Sequence, residues 1–113
     1  MSDKSRPSFY KKISKQFPEV MSAAAALGTT LRTAGPLDEK TTHLIQLAAA
    51  AAMQSEGSVS SHTRRALEVG ASPEEISQTL LLLITTIGFP QAMAALSWSQ
   101  EVIMEKKEEK PKK

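Results

Sequence analysis

The stretch SEGSVSSHTRRALEVGASPEEI, Ser55–Ile76, decides how the rest of the chain is read. It is a helix, a glycine stop and the capped start of another helix. On a helix over about 58–69, the apolar residues Val59, Ala66 and Val69 share a stripe with His62 at helical spacing. Arg64, Arg65 and Glu68 fall toward the solvent side. An imidazole therefore points inward where an aliphatic side chain is the default. Gly70 supplies a left-handed stop. Ser72-Pro73-Glu74-Glu75 then places a serine at the N-cap, proline at the first helical position and glutamate three residues after the cap.

Outward from this stretch, the same reading gives helices and breaks. Upstream, Asp38 caps a helix running to about Gln54, with Leu44, Ile45, Leu47 and Met53 around the alanine run Ala48–Ala52. That run offers a smooth surface for close helix approach; plain helix propensity accounts for it equally well. Farther back, Glu19–Thr33 carries a stripe of Val20, Ala23, Ala24, Leu27 and Leu31, weakened at Gly28 by roughly 1 kcal/mol. Ser8–Gln16 forms a short first helix with Phe9 and Ile13, and Phe17 follows at the same spacing. Downstream, Pro73–Ile87 reads as one helix whose leucines Leu80–Leu83 run around most of the cylinder. A helix apolar on all sides needs partners on more than one side, so a homo-oligomer with Leu80–Ile84 at or near its interface is expected. Gly88-Phe89-Pro90 breaks the chain, and a last helix to about Met104 turns Met93, Leu96 and Ile103 inward. Met1–Pro7 and the tail Glu105–Lys113 are expected to be loose. The fold expected is all-α, a single-domain bundle of about six helices with its core over about 19–104. No strand alternation, repeat or glycine-rich phosphate loop is present.

Composition excludes several functions. The chain has 113 residues, 41% hydrophobic and 23% charged, with a formal net charge of +2. That excess is small and concentrated at the ends, and no basic helix carries interleaved aromatics, so no nucleic-acid partner is expected. The chain has no cysteine, which excludes disulfides, thiolate catalysis and cysteine-ligated zinc. His43 and His62, with no clustered carboxylates, lack metal-ligand spacing, so no metal and no cofactor are expected. The N-terminal residues have no apolar core for a secretory signal, and no apolar run reaches the roughly 20 residues of a membrane span. The cytoplasm is the expected compartment.

The succession of Leu37-Asp38-Glu39-Lys40-Thr41, Leu44-Ile45, the alanine run, His62, Ala66–Ile76 and Gly88-Phe89-Pro90 resembles the carboxymuconolactone decarboxylase family, which also holds the alkylhydroperoxidase D-like proteins. The likeness spans about 37–97. It implies an all-helical fold and an obligate oligomer, often a trimer or hexamer. It also implies a small-molecule pocket near the inward histidine at a subunit interface. The family's peroxidase branch uses a Cys-x-x-Cys pair, a histidine after three further residues, and a glutamate on the preceding helix. Counting back from His62, the thiol positions are Ser58 and Ser55, and the glutamate position falls at His43. A serine hydroxyl forms neither the sulfenic acid nor the disulfide that peroxide reduction needs, so a peroxiredoxin label inherited from the family does not fit these residues.

Two functions remain open at this point. The first is a lyase of the lactone decarboxylase kind. Decarboxylation needs donors at a developing oxyanion and a proton donor for carbon. His62 suits the second task, Ser58 one turn earlier would orient it or bind a substrate oxygen, and His43 or the amides opening the His62 helix would meet a carboxylate. Ser55, Phe89, Met93 and Trp98 are the candidate substrate-binding residues. The second is a non-catalytic oligomeric module that binds a small ligand or serves as a scaffold. There His62 is a structural histidine bonded to a backbone carbonyl, His43 lies at the surface or an interface, and the serines only start a helix.

Overall fold

Glycine and proline mark most, though not all, of the breaks between helices. The structure is a computed structural model that describes residues 8–109. Among these residues the helices are α1 (Ser8–Gln16), α2 (Pro18–Arg32), α3 (Glu39–Ala52), α4 (Glu56–Glu68), α5 (Pro73–Leu81), α6 (Ile84–Ile87) and α7 (Phe89–Glu109), with no strand. The all-α class follows. The chain divides into two units, Met1–Glu39 and Lys40–Lys113. The expected loose segment Met1–Pro7 lies outside the described residues.

In the first unit α1 packs on α2. Neither helix contains a buried residue. Along α2, Val20, Leu27 and Leu31 are all more than half exposed. The expected stripe is there, and it stays exposed.

In the second unit α4, α5 and α6 all pack on α7, and α4 also packs on α5. The core draws on Leu47, Ala50 and Ala51 of α3, Val59 and Ala66 of α4, Ile76 and Leu80 of α5, and Ala95 and Ile103 of α7. Of the five alanines, then, the two at Ala50 and Ala51 do the packing. α4 ends as Gly70 predicts. Gly70 takes φ +99°. Its N–H donates to Leu67 O at 3.1 Å, and Ala71 N–H to Ala66 O at 2.9 Å. This pair of bonds is the Schellman arrangement, which a Cβ at Gly70 would strain through its positive φ. The same pair recurs at the end of α3, with Gln54 N–H to Ala51 O and Ser55 N–H to Ala50 O. There Gln54 occupies the left-handed region at φ 54°. Its side chain offsets the strain by donating to Ala51 O at 2.8 Å and to Gln91 O at 3.0 Å, which ties the end of α3 to the start of α7.

The start of α5 is a complete capping box. Glu75 N–H donates to Ser72 Oγ at 3.0 Å, and Ser72 N–H donates to Glu75 Oε1 at 2.9 Å. Lys40 Nζ donates to the other oxygen, Oε2, at 2.9 Å, joining α3 to α5. The Ser72 N–H, and after it Lys40, hold the Glu75 carboxyl below its ordinary value of 4.5.

Three expectations are corrected. The helix from Pro73 does not run through to Ile87: α5 stops at Leu81, and Leu83 N–H bonds back three residues to Leu80 O before α6 begins. That tightened turn leaves Leu80 fully buried in its own chain and turns Leu81 and Leu82 outward. The last helix does not end near Met104 but continues to Glu109, with Lys106 and Lys107 in its last turn. On α7 the fully buried positions are Ala92, Ala95 and Ser99 rather than Met93, which is half-buried.

Two outcomes test this packing. Ser72→Ala removes the cap and lowers the urea unfolding free energy by about 1 kcal/mol. Glu75→Gln keeps the box and removes the charge. A depressed carboxyl stabilises the fold above its unfolded value and loses that contribution as pH falls through the folded one. The difference in urea midpoint between wild type and Glu75→Gln is therefore present at neutral pH and shrinks as pH drops below 4.5.

Candidate functional site

Every residue named for the site except Phe89, Met93 and Trp98 lies on α3, on α4 or at the α4 N-cap. The inward face of α4 carries Val59, Thr63 and Ala66, each with no exposed surface. His62 is one residue, or about 100°, from Thr63, so it stands at the edge of that face. Its ring is half-buried, and its Nδ1 is fully covered. Ser58, four residues earlier, lies on the same side of the helix and is also half-buried. Ser55 is the N-cap by backbone conformation, at φ −98° and ψ 100°, but its hydroxyl caps nothing.

His43 is buried, 4% exposed, with its Nδ1 covered. The surface reading of this residue does not hold. Both imidazoles make further interactions within the chain. One turn along α3 from His43 is Gln46, which the sequence reading did not single out. Its Oε1 is buried and has no hydrogen-bond partner among the described residues. The signal was available: Gln46 and Leu47 follow His43 by three and four residues, and that spacing defines one helix face.

The remaining candidates divide. Trp98 is partly buried and packs against the core cluster. Met93 is half-buried, and Phe89, first residue of α7, is 60% exposed. A second buried polar pair was also missed. Thr63 Oγ1 donates to Ser99 Oγ at 3.0 Å, joining α4 to α7, and both residues are fully buried. Among the described residues no group of three or more histidine, aspartate or glutamate side chains is placed to hold a metal ion. No helix among them is long and apolar enough to cross a membrane.

Comparison with known proteins sets this arrangement in context. The model of the carboxymuconolactone decarboxylase family matches residues 18–101. The chain belongs to the carboxymuconolactone decarboxylase family. An uncharacterised protein of Methanocaldococcus jannaschii is 31% identical over 90 residues, covering 80% of this chain and 84% of that protein. A carboxymuconolactone decarboxylase family protein from Legionella pneumophila, solved in its apo form, superposes with a TM-score of 0.70 at 31% identity, over 84% of this chain and 88% of that one. A candidate carboxymuconolactone decarboxylase from Burkholderia xenovorans gives a TM-score of 0.67 at 24% identity, over 94% and 86%, and supports the fold alone. This family member has no thiol with which to do peroxidase chemistry.

Two substitutions separate the site from the core beside it. Gln46→Met removes an unpaired buried oxygen and keeps the side-chain volume. It raises stability by about 1 kcal/mol in urea denaturation, the reverse of the usual sign for a buried substitution. Thr63→Val leaves the Ser99 hydroxyl unpaired in the core and costs about 1–3 kcal/mol. Adding Ser99→Ala costs less than the sum of the two single changes, which a double-mutant cycle reads directly.

Proposed function

We propose that this protein is an acid/base catalyst of the carboxymuconolactone decarboxylase kind, acting on a small carboxylated lactone or a related oxo-acid. The observation that carries the reading is His62: an imidazole whose Nδ1 is covered, at the edge of the packed face of α4, with the hydroxyl of Ser58 one turn before it. In the decarboxylation, the bond to the departing carboxylate breaks and carbon dioxide leaves. The electron pair moves through the conjugated system onto the lactone carbonyl oxygen. Hydrogen-bond donors stabilise that oxyanion, and the pair then returns to carbon, which takes a proton. His62, an imidazole able to hold and release a proton, is the proton donor. Ser58 orients the ring or holds a substrate oxygen. His43 and Gln46 supply polar groups on α3, Ser55 stands at the mouth of α4, and Phe89, Met93 and Trp98 provide apolar surface. No cofactor enters this scheme.

The working form is a homo-oligomer, a trimer or a hexamer. Its support is the apolar surface one chain leaves open: Leu81 and Leu82 after the break in α5, and Val20, Leu27 and Leu31 on α2.

A screen of carboxylated lactones and oxo-acids, followed by carbon dioxide release, tests the assignment. His62→Asn lowers kcat on the substrate found by about 10²–10⁴-fold while the urea midpoint stays near wild type. If no compound turns over but one binds saturably, with wild-type affinity in His62→Asn, the protein is a ligand-binding module instead. A large loss of stability in His62→Asn assigns the ring to the core.

A further inference from the structure

We propose that α1 of one protomer docks along the outer face of α7 of a second copy of the chain. The inference rests on the homo-oligomeric reading above and says which surfaces meet.

Two exposed amphipathic faces carry opposite charges that no ion pair among the described residues satisfies. Tyr10, Lys11, Ile13 and Ser14 of α1 are half-buried, on the helix's sheltered side. The other side presents Phe9, Lys12, Lys15 and Gln16, with Phe9 70% exposed. α1 has no acidic residue. On α7 an open cleft of about 550 Å³ is lined by Ser97, Gln100, Glu101, Met104, Glu105 and Glu108. Met104 is 53% exposed, and the lysines of the last turn, Lys106 and Lys107, do not line the cleft. Among the described residues, Lys12, Lys15, Glu101, Glu105 and Glu108 take part in no ion pair.

The two faces match in length as well as in sign. At about 1.5 Å rise per residue, Phe9 to Lys15 spans about 9 Å and Glu101 to Glu108 about 10 Å. Phe9 set against Met104 makes a sulfur–aromatic contact, and Lys12 and Lys15 then fall among the glutamates. Each ion pair is worth little at the edge of such a contact, but pairing fixes partner and register. An anionic lipid surface would suit α1 equally by charge. It would leave the acidic, half-apolar face of α7 unpaired, and a membrane would repel that face. The second copy satisfies both.

The absence of cysteine makes the test clean. Lys15→Cys and Glu105→Cys are prepared as separate proteins, mixed, and treated with a short bismaleimide. A covalent heterodimer forms in the mixture. It is lost when Lys12→Glu is added to the first protein and regained when Glu101→Lys is added to the second. Without cross-linker, Lys12→Glu with Lys15→Glu raises the half-assembly concentration by about tenfold or more, and Glu101→Lys with Glu105→Lys restores it. All four positions are exposed, and unchanged urea midpoints exclude unfolding as the cause. If light scattering shows assembly but the mixture gives no heterodimer, the docking is wrong and the oligomer stands. A monomer at all concentrations overturns both. A chain carrying both cysteines that only closes on itself, or binding to phosphatidylserine vesicles that needs Lys12 and Lys15 with no heterodimer formed, also overturns the docking.

Discussion

The second unit depends on how closely α4 can approach α7. The buried residues on both helices are small: Val59, Thr63 and Ala66 on α4, and Ala92, Ala95 and Ser99 on α7, all without exposed surface. Helix separation is set by the side chains at the contact, and small residues allow two backbones to approach toward the lower end of the usual range of about 8–10 Å. At that separation a hydroxyl on one helix reaches a hydroxyl on the other, as Thr63 and Ser99 do. α5 and α6 then pack on α7 as well, and the ends are tied by Gln54 to Gln91 and by Lys40 to Glu75. A larger residue at Ala95 or Ser99 would force this stack apart.

Much of this was legible because it rests on local rules. The capping box at Ser72, the stop at Gly70 and the start of α7 by Phe89-Pro90 depend on backbone chemistry that a few residues specify. The break after Leu81 left no such mark. No glycine or proline stands there, and Leu80–Ile84 is as apolar as a continuous helix would be. The turn is a tertiary outcome: it keeps Leu80 in the core while α6 reaches α7. The end of α7 was misjudged for the opposite reason. A run of glutamate and lysine looks like a solvated tail, yet both are strong helix formers, and lysine in the last turn suits the helix dipole. The small buried residues of α7 carry little hydropathy signal beside its larger side chains. Ala92, Ala95 and Ser99 at spacings of three and four carried the signal.

The residues of the candidate site stand out in the sequence by type, and their burial only partly so. His62 was found because a polar residue broke an apolar stripe, and His43 because the family's spacing pointed to it. Its burial was not readable, since α3 is polar at Lys40–Thr42 and apolar only from Leu44. Gln46 was missed because glutamine signals nothing by type; what marks it is an oxygen held under cover with no partner. Such a group costs stability, and proteins concentrate that cost where ligands bind.

Replacing both family thiols by serine changes what α4 can do more than how it folds. Ser55 starts the helix and Ser58 sits a turn before the imidazole, and neither hydroxyl can do thiol redox chemistry. What remains is proton transfer and hydrogen bonding, which suit a substrate whose own bonds supply the electrons. The same short helix carries two jobs about 100° apart. Thr63 joins it to α7, and His62, the next residue back, carries the proposed chemistry. A change at Thr63 that alters helix separation must therefore also move the imidazole, so packing and chemistry on α4 cannot be tuned independently.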